Sequence, residues 1–136
     1  VKYDVSQKPE YLTYVSELTG TKDFGPNKTI AIYSDAYELM AVVVYNGLDE
    51  KNMGISIGTS TPKWCTKVSL KLIFGFPFIQ LDLNRVTAVV RETNNKSRSL
   101  VERLGFILEG EMKNFYETGE SAMLYGLQRS DCRWVK

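Results

Sequence analysis

Asn94 and Ser97 stand three residues apart, just ahead of Leu100, Val101 and Leu104, which repeat at helical spacing. The pair reads first as an N-cap and a first-turn serine, an arrangement worth about 1 kcal/mol to a helix. A second group of reactive types is Lys63-Trp64-Cys65-Thr66-Lys67-Val68, where another helix is expected to begin. A helix N-terminus lowers a thiol pKa, but the chain contains no histidine to act as a base for Cys65. Cys65 therefore reads as a buried or incidental cysteine. The same absence excludes a Ser-His-Asp triad, a His-ligated zinc site and an imidazole general base. Any chemistry must use hydroxyls, carboxylates, lysines and the backbone.

The elements that hold these groups follow from the rest of the chain. At 136 residues one domain with one core is expected, and 43% hydrophobic with 24% charged residues matches folded globular usage. Seventeen basic against sixteen acidic residues leave no global field to draw nucleic acid or an anionic membrane, so neither is expected as a partner and any anion site must be local. Cys65 and Cys132 form no metal or disulfide pattern and read as free thiols of a reducing compartment. The apolar stretches are broken by polar residues, which excludes a spanning helix of about 20 residues. Val1-Lys2-Tyr3-Asp4 shows no signal-peptide pattern. A cytoplasmic location is the expectation.

Pro9 to Leu18 reads as a short helix with Leu12, Val15 and Leu18 on one face, closed by Thr19-Gly20. Thr29–Tyr33 and Leu39–Tyr45, with a polar tip at Ser34-Asp35-Ala36, read as a hairpin; Asn46-Gly47 is a turn signal, and Met53–Gly58 reads as a third antiparallel strand. Trp64, Val68, Leu72 and Phe76 follow helical spacing, and Pro77 is expected to close that helix. Arg85–Val90 reads as a strand, Asn94 or Asn95 as the cap of a helix on which Ser97, Leu100, Val101 and Leu104 face one way and which Gly105 closes, and Phe106–Leu108 and Ala122–Leu127 as a last strand pair. Phe74, Phe76 and Phe78 read as core, and Glu117 and Glu120 as a solvated hairpin tip. A strand, helix, strand crossover in the middle implies that an antiparallel sheet becomes parallel there, where open sheets place ligands.

Asn94-x-x-Ser97-x-x-Leu100-x-x-x-Leu104-Gly105-Phe106-x-x-Glu109-Gly110 resembles the C-terminal half of GNAT acetyltransferases, especially the branch that acetylates ribosomal-protein N-termini. The ending from Tyr125 to Trp134 also resembles short GNAT-like proteins of bacteriophages. The resemblance implies an α+β GNAT (acyl-CoA N-acyltransferase) fold, with a mixed central sheet splayed between its fourth and fifth strands and flanked by helices. Those strands would be Met53–Gly58 and Arg85–Val90. It further implies acetyl-CoA as donor, with the pantetheine arm along the fourth strand and its end, at Ile57 and Thr59. The pyrophosphate would rest on amides at the start of the next helix, where free N–H groups and the dipole attract anions.

The family's usual Gln/Arg-x-x-Gly-x-Gly/Ala at that helix has as counterpart Lys63 to Val68, with Thr66 and Val68 in the places of the two small residues and Lys63 and Lys67 able to neutralise phosphate charge. By the same resemblance Asn94 helps hold the cofactor and Ser97 protonates the departing thiolate. The tyrosine that serves as acid in another branch is replaced by Val101. Tyr11 and Tyr14 fall where the family forms its acceptor wall, and Glu92, Glu109 and Glu111 are candidates for a base acting through water. The implied activity is N-acetylation of a primary amine, on a protein N-terminus or lysine or a small molecule, by a monomer or homodimer. The alternative is a noncatalytic GNAT-like phage protein that binds a host or phage partner in the host cytoplasm.

Overall fold

A computed structural model describes all residues, 1–136. Its strands are β1 (Lys2–Asp4), β2 (Asn27–Tyr33), β3 (Leu39–Asp49), β4 (Asn52–Thr59), β5 (Arg85–Arg91), β6 (Ile107–Met112) and β7 (Ala122–Gln128). Its helices are α1 (Pro9–Thr19), α2 (Lys67–Gly75) and α3 (Asn95–Leu104). They form one sheet in the order β1-β2-β3-β4-β5-β7-β6. β1 to β4 pair antiparallel; β4 and β5 run parallel; β5, β7 and β6 are again antiparallel.

Period-two alternation in β3 sends Val42 and Val44 toward α1, where they pack with Tyr11, Val15, Phe24 and Ala31. Ala41, Val43 and Tyr45 face the opposite way into the larger core, together with residues of α2 and α3. The sheet is thus covered by α1 on one face and by α2 and α3 on the other. No helix is long and apolar enough to cross a membrane.

Several local expectations need correction. β1 carries too little apolar alternation to announce itself; it forms because Lys2, Tyr3 and Asp4 pair with Tyr33, Ile32 and Ala31. Asn46-Gly47 is not a turn: Gly47 at φ 61° sits where the β3–β4 register shifts between Asn46 and Asp49, and the chain reverses at Glu50-Lys51. On α1 the buried face is Tyr11 and Val15, four residues apart, while Leu18 is 44% exposed. Gly58 explains this rotation, because a Cβ there would lie 3.0 Å from the Val15 Cα; its bare surface seats Val15.

Trp64 belongs to a 3-10 turn, Pro62–Trp64, and α2 starts only at Lys67 because Thr66 caps it, its Oγ1 accepting from the Ser69 N–H at 3.1 Å. Pro77 does not end the helical run, which widens into a π turn over Phe76–Gln80. Proline lacks the N–H that would bond the Ile73 carbonyl. The buried Tyr45 hydroxyl donates to that carbonyl at 2.6 Å, which removes the cost of the break.

Candidate functional site

The sheet parts between β4 and β5. Only Asn52, Met53 and Gly54 pair with Arg85, Val86 and Thr87; beyond them the strands diverge, and the β4 backbone groups directed at β5 lose their ladder partners. Ile55 to Ile57 of β4 and Ala88 to Arg91 of β5 line a neck of about 30 Å³ at this parting, closed by Asn94, Ser97, Leu100 and Val101 of the α3 end.

The neck joins two clefts. One, of about 610 Å³, runs from Leu18 and Thr19 along Ile57, Gly58, Thr59, Ser60 and Thr61 to Trp64 and Cys65, with Asn94 to Ser97, Ser99 and Arg103 as its other wall. Its charged side chains are Lys96 and Arg103, and it has no carboxylate. The other, of about 620 Å³, lies on the α1 side of the sheet and is bounded by the α1–β2 loop, β4, β5 and the β6–β7 hairpin. Its charges are mixed: Lys22, Asp23, Arg91 and Glu117. Ser97 lines both the neck and the first cleft, and Arg91 both the neck and the second.

The start of α3 is fixed from several sides. The Asn94 side chain accepts the Ser97 N–H at 3.1 Å, so the cap holds the serine backbone and leaves its hydroxyl uncommitted. One turn on, Arg98 donates from Nε to the Tyr125 hydroxyl at 3.1 Å and from Nη1 to the Glu92 carbonyl at 3.2 Å. Tyr125 in turn donates to Glu102 at 2.6 Å. Burial, with the Glu102 contact next, raises the Tyr125 pKa, so the hydroxyl stays protonated and the lock on α3 persists across the neutral range.

Of the site residues expected from sequence, Ile57, Thr59, Asn94 and Ser97 share the first cleft. Lys63, between the lining residues Pro62 and Trp64, and Thr66, Lys67 and Val68, past Cys65, do not line it; both lysines are exposed and Val68 is 70% exposed. The side chain of Val68 therefore faces solvent, and that of Thr66, also on an exposed residue, is taken up in capping α2. With Ser69 capped by Thr66 and Leu70 bonded to the Thr66 carbonyl, the unpartnered amides at this helix start are those of Lys67 and Val68. Desolvation pushes the Cys65 thiol up, with Arg103 acting against it; it is no activated nucleophile.

Lys96 and Arg103 were not singled out in the sequence. Their signal is spacing: with Ser99 they recur at three to four residues along the exposed side of α3, the stripe that meets the cleft. Tyr11 forms no acceptor wall; it is 1% exposed, donates to Asp4 and lies 2.9 Å from the Tyr33 hydroxyl. Tyr14 is tied to the Met40 carbonyl at 3.2 Å. Glu92, Glu109 and Glu111 line neither cleft nor neck. Glu109 is bound by both Arg85 Nη atoms, at 2.8 and 3.2 Å, which hold its carboxyl below the usual range, and Glu111 accepts from Ser121 at 2.8 Å. The carboxylates that do reach the second cleft are Asp23 and Glu117.

A mixed seven-stranded sheet, parted between its fourth and fifth strands and covered by helices on both faces, is the GNAT acetyltransferase fold. Solved structures with this architecture include a point variant of spermidine N-acetyltransferase SpeG from Vibrio cholerae, at TM-score 0.77, 11% identity and 96% coverage of each chain. A chimera of that enzyme with hSSAT gives TM-score 0.75 and 10% identity over 100% of both chains. Ribosomal-protein-S5-alanine acetyltransferase from Vibrio fischeri gives TM-score 0.67 and 17% identity, covering 79% of this chain and 64% of that one. No protein-family model and no curated protein sequence matches the chain.

Proposed function

We propose that the protein is an acetyl-CoA-dependent N-acetyltransferase that passes an acetyl group directly to a primary amine, with a protein N-terminus or lysine as acceptor. The supporting observation is the neck, which joins a cleft with cationic and no anionic side chains to a second, open cleft of mixed charge. Two reactants entering from opposite sides meet at one point, the condition for direct transfer.

The residues present fit the donor. β4 edge groups from Ile55 onward offer hydrogen bonds to an extended amide-bearing arm, while Lys96 and Arg103, with Lys63, Lys67 and the two unpartnered α2 amides farther out, suit phosphates. Acetyl-CoA supplies an activated thioester carbonyl. The acceptor nitrogen forms the new C–N bond as the C–S bond breaks, and the amine proton leaves to water. Ser97 would give its Oγ proton to the thiolate and regain one from the water that takes up the amine proton, so that one proton passes in net from nitrogen to sulfur, and unpaired β4 N–H groups would stabilise charge on the carbonyl oxygen. The width of the second cleft, roofed by no helix over Thr87 and Val89, suits the end of a polymer chain.

Titration with acetyl-CoA by thermal shift and calorimetry is the first test; no shift and no heat at millimolar ligand would end the enzyme reading. Ser97→Ala should then lower kcat by about 100-fold, the lower range for a positioned proton donor, with acetyl-CoA affinity unchanged; unaltered kcat removes Ser97 from the mechanism. The noncatalytic reading draws on Thr66, whose Oγ1 occupies the Ser69 amide that a phosphate would otherwise use, and it requires the titration to be silent.

A further inference from the structure

Arg91 stands at the end of β5, where the neck opens into the second cleft. Its side chain is 21% exposed and is held on one side only. Nη1 donates to Glu120 Oε1 at 2.9 Å and to Thr118 Oγ1 at 3.4 Å. The guanidinium carbon Cζ lies over the Tyr116 ring, 3.8 Å from its centre. Glu120 is itself fixed by Thr93 and by Thr118, the latter at 2.8 Å, so the hairpin clamps the group in one orientation. Gly20 stands before the opposite edge, where a Cβ would come 3.1 Å from Nη2 and 3.6 Å from Nε; the missing side chain leaves that edge uncovered. Nε and Nη2 make no hydrogen bond within the chain. A half-buried guanidinium with one edge spent and the other idle is a fork set for an oxygen acceptor.

We propose that Arg91 is the acceptor-selecting residue: it binds a carbonyl or carboxylate oxygen adjacent to the acceptor amine, which assigns the acceptor as an α-amine. This rests on the acetyl transfer proposed above and narrows it. An α-amine carries an oxygen two bonds beyond its Cα, so one molecule can place nitrogen in the neck and oxygen on Arg91. A lysine side chain or a polyamine has no such oxygen, and an ammonium, which only donates, cannot accept from the guanidinium fork. Of the carboxylates that line the cleft, Glu117 is paired with Lys22 at 3.1 Å and Asp23 accepts from the Gly25 N–H at 2.9 Å in the outer loop, and Glu120, outside the lining, is paired with Arg91.

The test compares acetylation of four amines: a peptide beginning with alanine, free alanine, isopropylamine, which is alanine without its carboxyl group, and spermidine. The peptide or alanine should exceed isopropylamine and spermidine in kcat/KM, the stronger of the two telling a peptide carbonyl from a free carboxylate. Arg91→Gln should raise KM for the preferred acceptor about tenfold or more, the loss of one charge-assisted hydrogen bond, and so narrow the ratio of its kcat/KM to that of isopropylamine by about the same factor. Arg91→Lys keeps a cation beside Glu120, protecting the fold, and should show the same selective loss because a point charge does not replace the fork. Spermidine as best substrate, or equal effects on all four amines, overturns the assignment. Calorimetry of the peptide against the chain without acetyl-CoA separates the two claims. Peptide binding lost in Arg91→Gln upholds the Arg91 site even if no amine is acetylated; absence of Arg91-dependent binding refutes it even if transfer occurs.

Discussion

Adding one methyl group at Gly58 tests how α1 is seated on the sheet beside the proposed donor cleft. The new Cβ would lie 3.0 Å from the Val15 Cα, 3.3 Å from Val15 Cγ2 and 3.4 Å from Leu18 Cδ1. Ordinary carbon contacts are about 3.5–4.0 Å, and the nearest atom belongs to helix backbone, so α1 must lift by several tenths of an ångström. Overpacking of this kind costs about 1–3 kcal/mol. For a domain of this size Gly58→Ala should therefore lower Tm by roughly 3–10 °C. Gly75→Ala is the matched control. Gly75 has helical dihedrals, φ −62° and ψ −33°, and nothing lies within 4 Å of its added Cβ. There the same methyl should stabilise by about 0.5–1 kcal/mol, through helix propensity alone. Urea and thermal unfolding of the two variants read the difference directly. A neutral Gly58→Ala, or equal losses at both positions, would refute the close approach of α1 to β4.

Two further outcomes follow from single side chains. The Asp4 carboxyl is held well below its usual range by the Tyr11 hydroxyl first, then by Ser6 and Lys8. Because its folded pKa is depressed, its stabilising share is fully present above the unfolded value near about 4 and fades as pH falls through the lower folded value. Asp4→Asn should thus lower Tm at pH 7, and the gap to the wild type should close progressively below about pH 4; a gap constant with pH would contradict the contact. Cys65 lines the proposed donor cleft and Cys132 is buried, so maleimide should label the native chain at Cys65, slowly near neutrality because desolvation raises its thiol pKa. Saturating acetyl-CoA should slow this labelling, and undiminished labelling would place the ligand elsewhere.

The α3 region was legible because its signals are local. Asn94 caps through its own side chain, Gly105 at φ 108° closes the helix, and Leu100, Val101 and Leu104 are all buried. The switch from antiparallel to parallel pairing was legible from element order, and it falls between β4 and β5. Features set by partners distant in sequence were not. β1 exists through β2, and the burial of Tyr11 through Asp4 and Tyr33. The π turn after α2 survives through Tyr45, 28 residues from the carbonyl it satisfies. At the candidate site the sequence pointed to Asn94 and Ser97, which share a cleft, and to a helix start three residues too early. Thr66 moved that start by acting as cap. Arg91 was invisible because its orientation depends on a hairpin 25 to 29 residues away and on the bare surface of Gly20.

The three residue pairs that join β4 to β5 are the sole ladder between two half-sheets, one of four strands and one of three. Such a seam is where the sheet is weakest as a beam: beyond Gly54 the halves are kept together by side chains and by the helices behind them. A molecule laid along the parting, bonded to β4 on one side and to the α3 end on the other, becomes a strut across that seam. Its binding free energy then adds to the stability of the whole sheet, and amide exchange at Ile55–Thr59 and Ala88–Arg91 should slow together when the strut is in place.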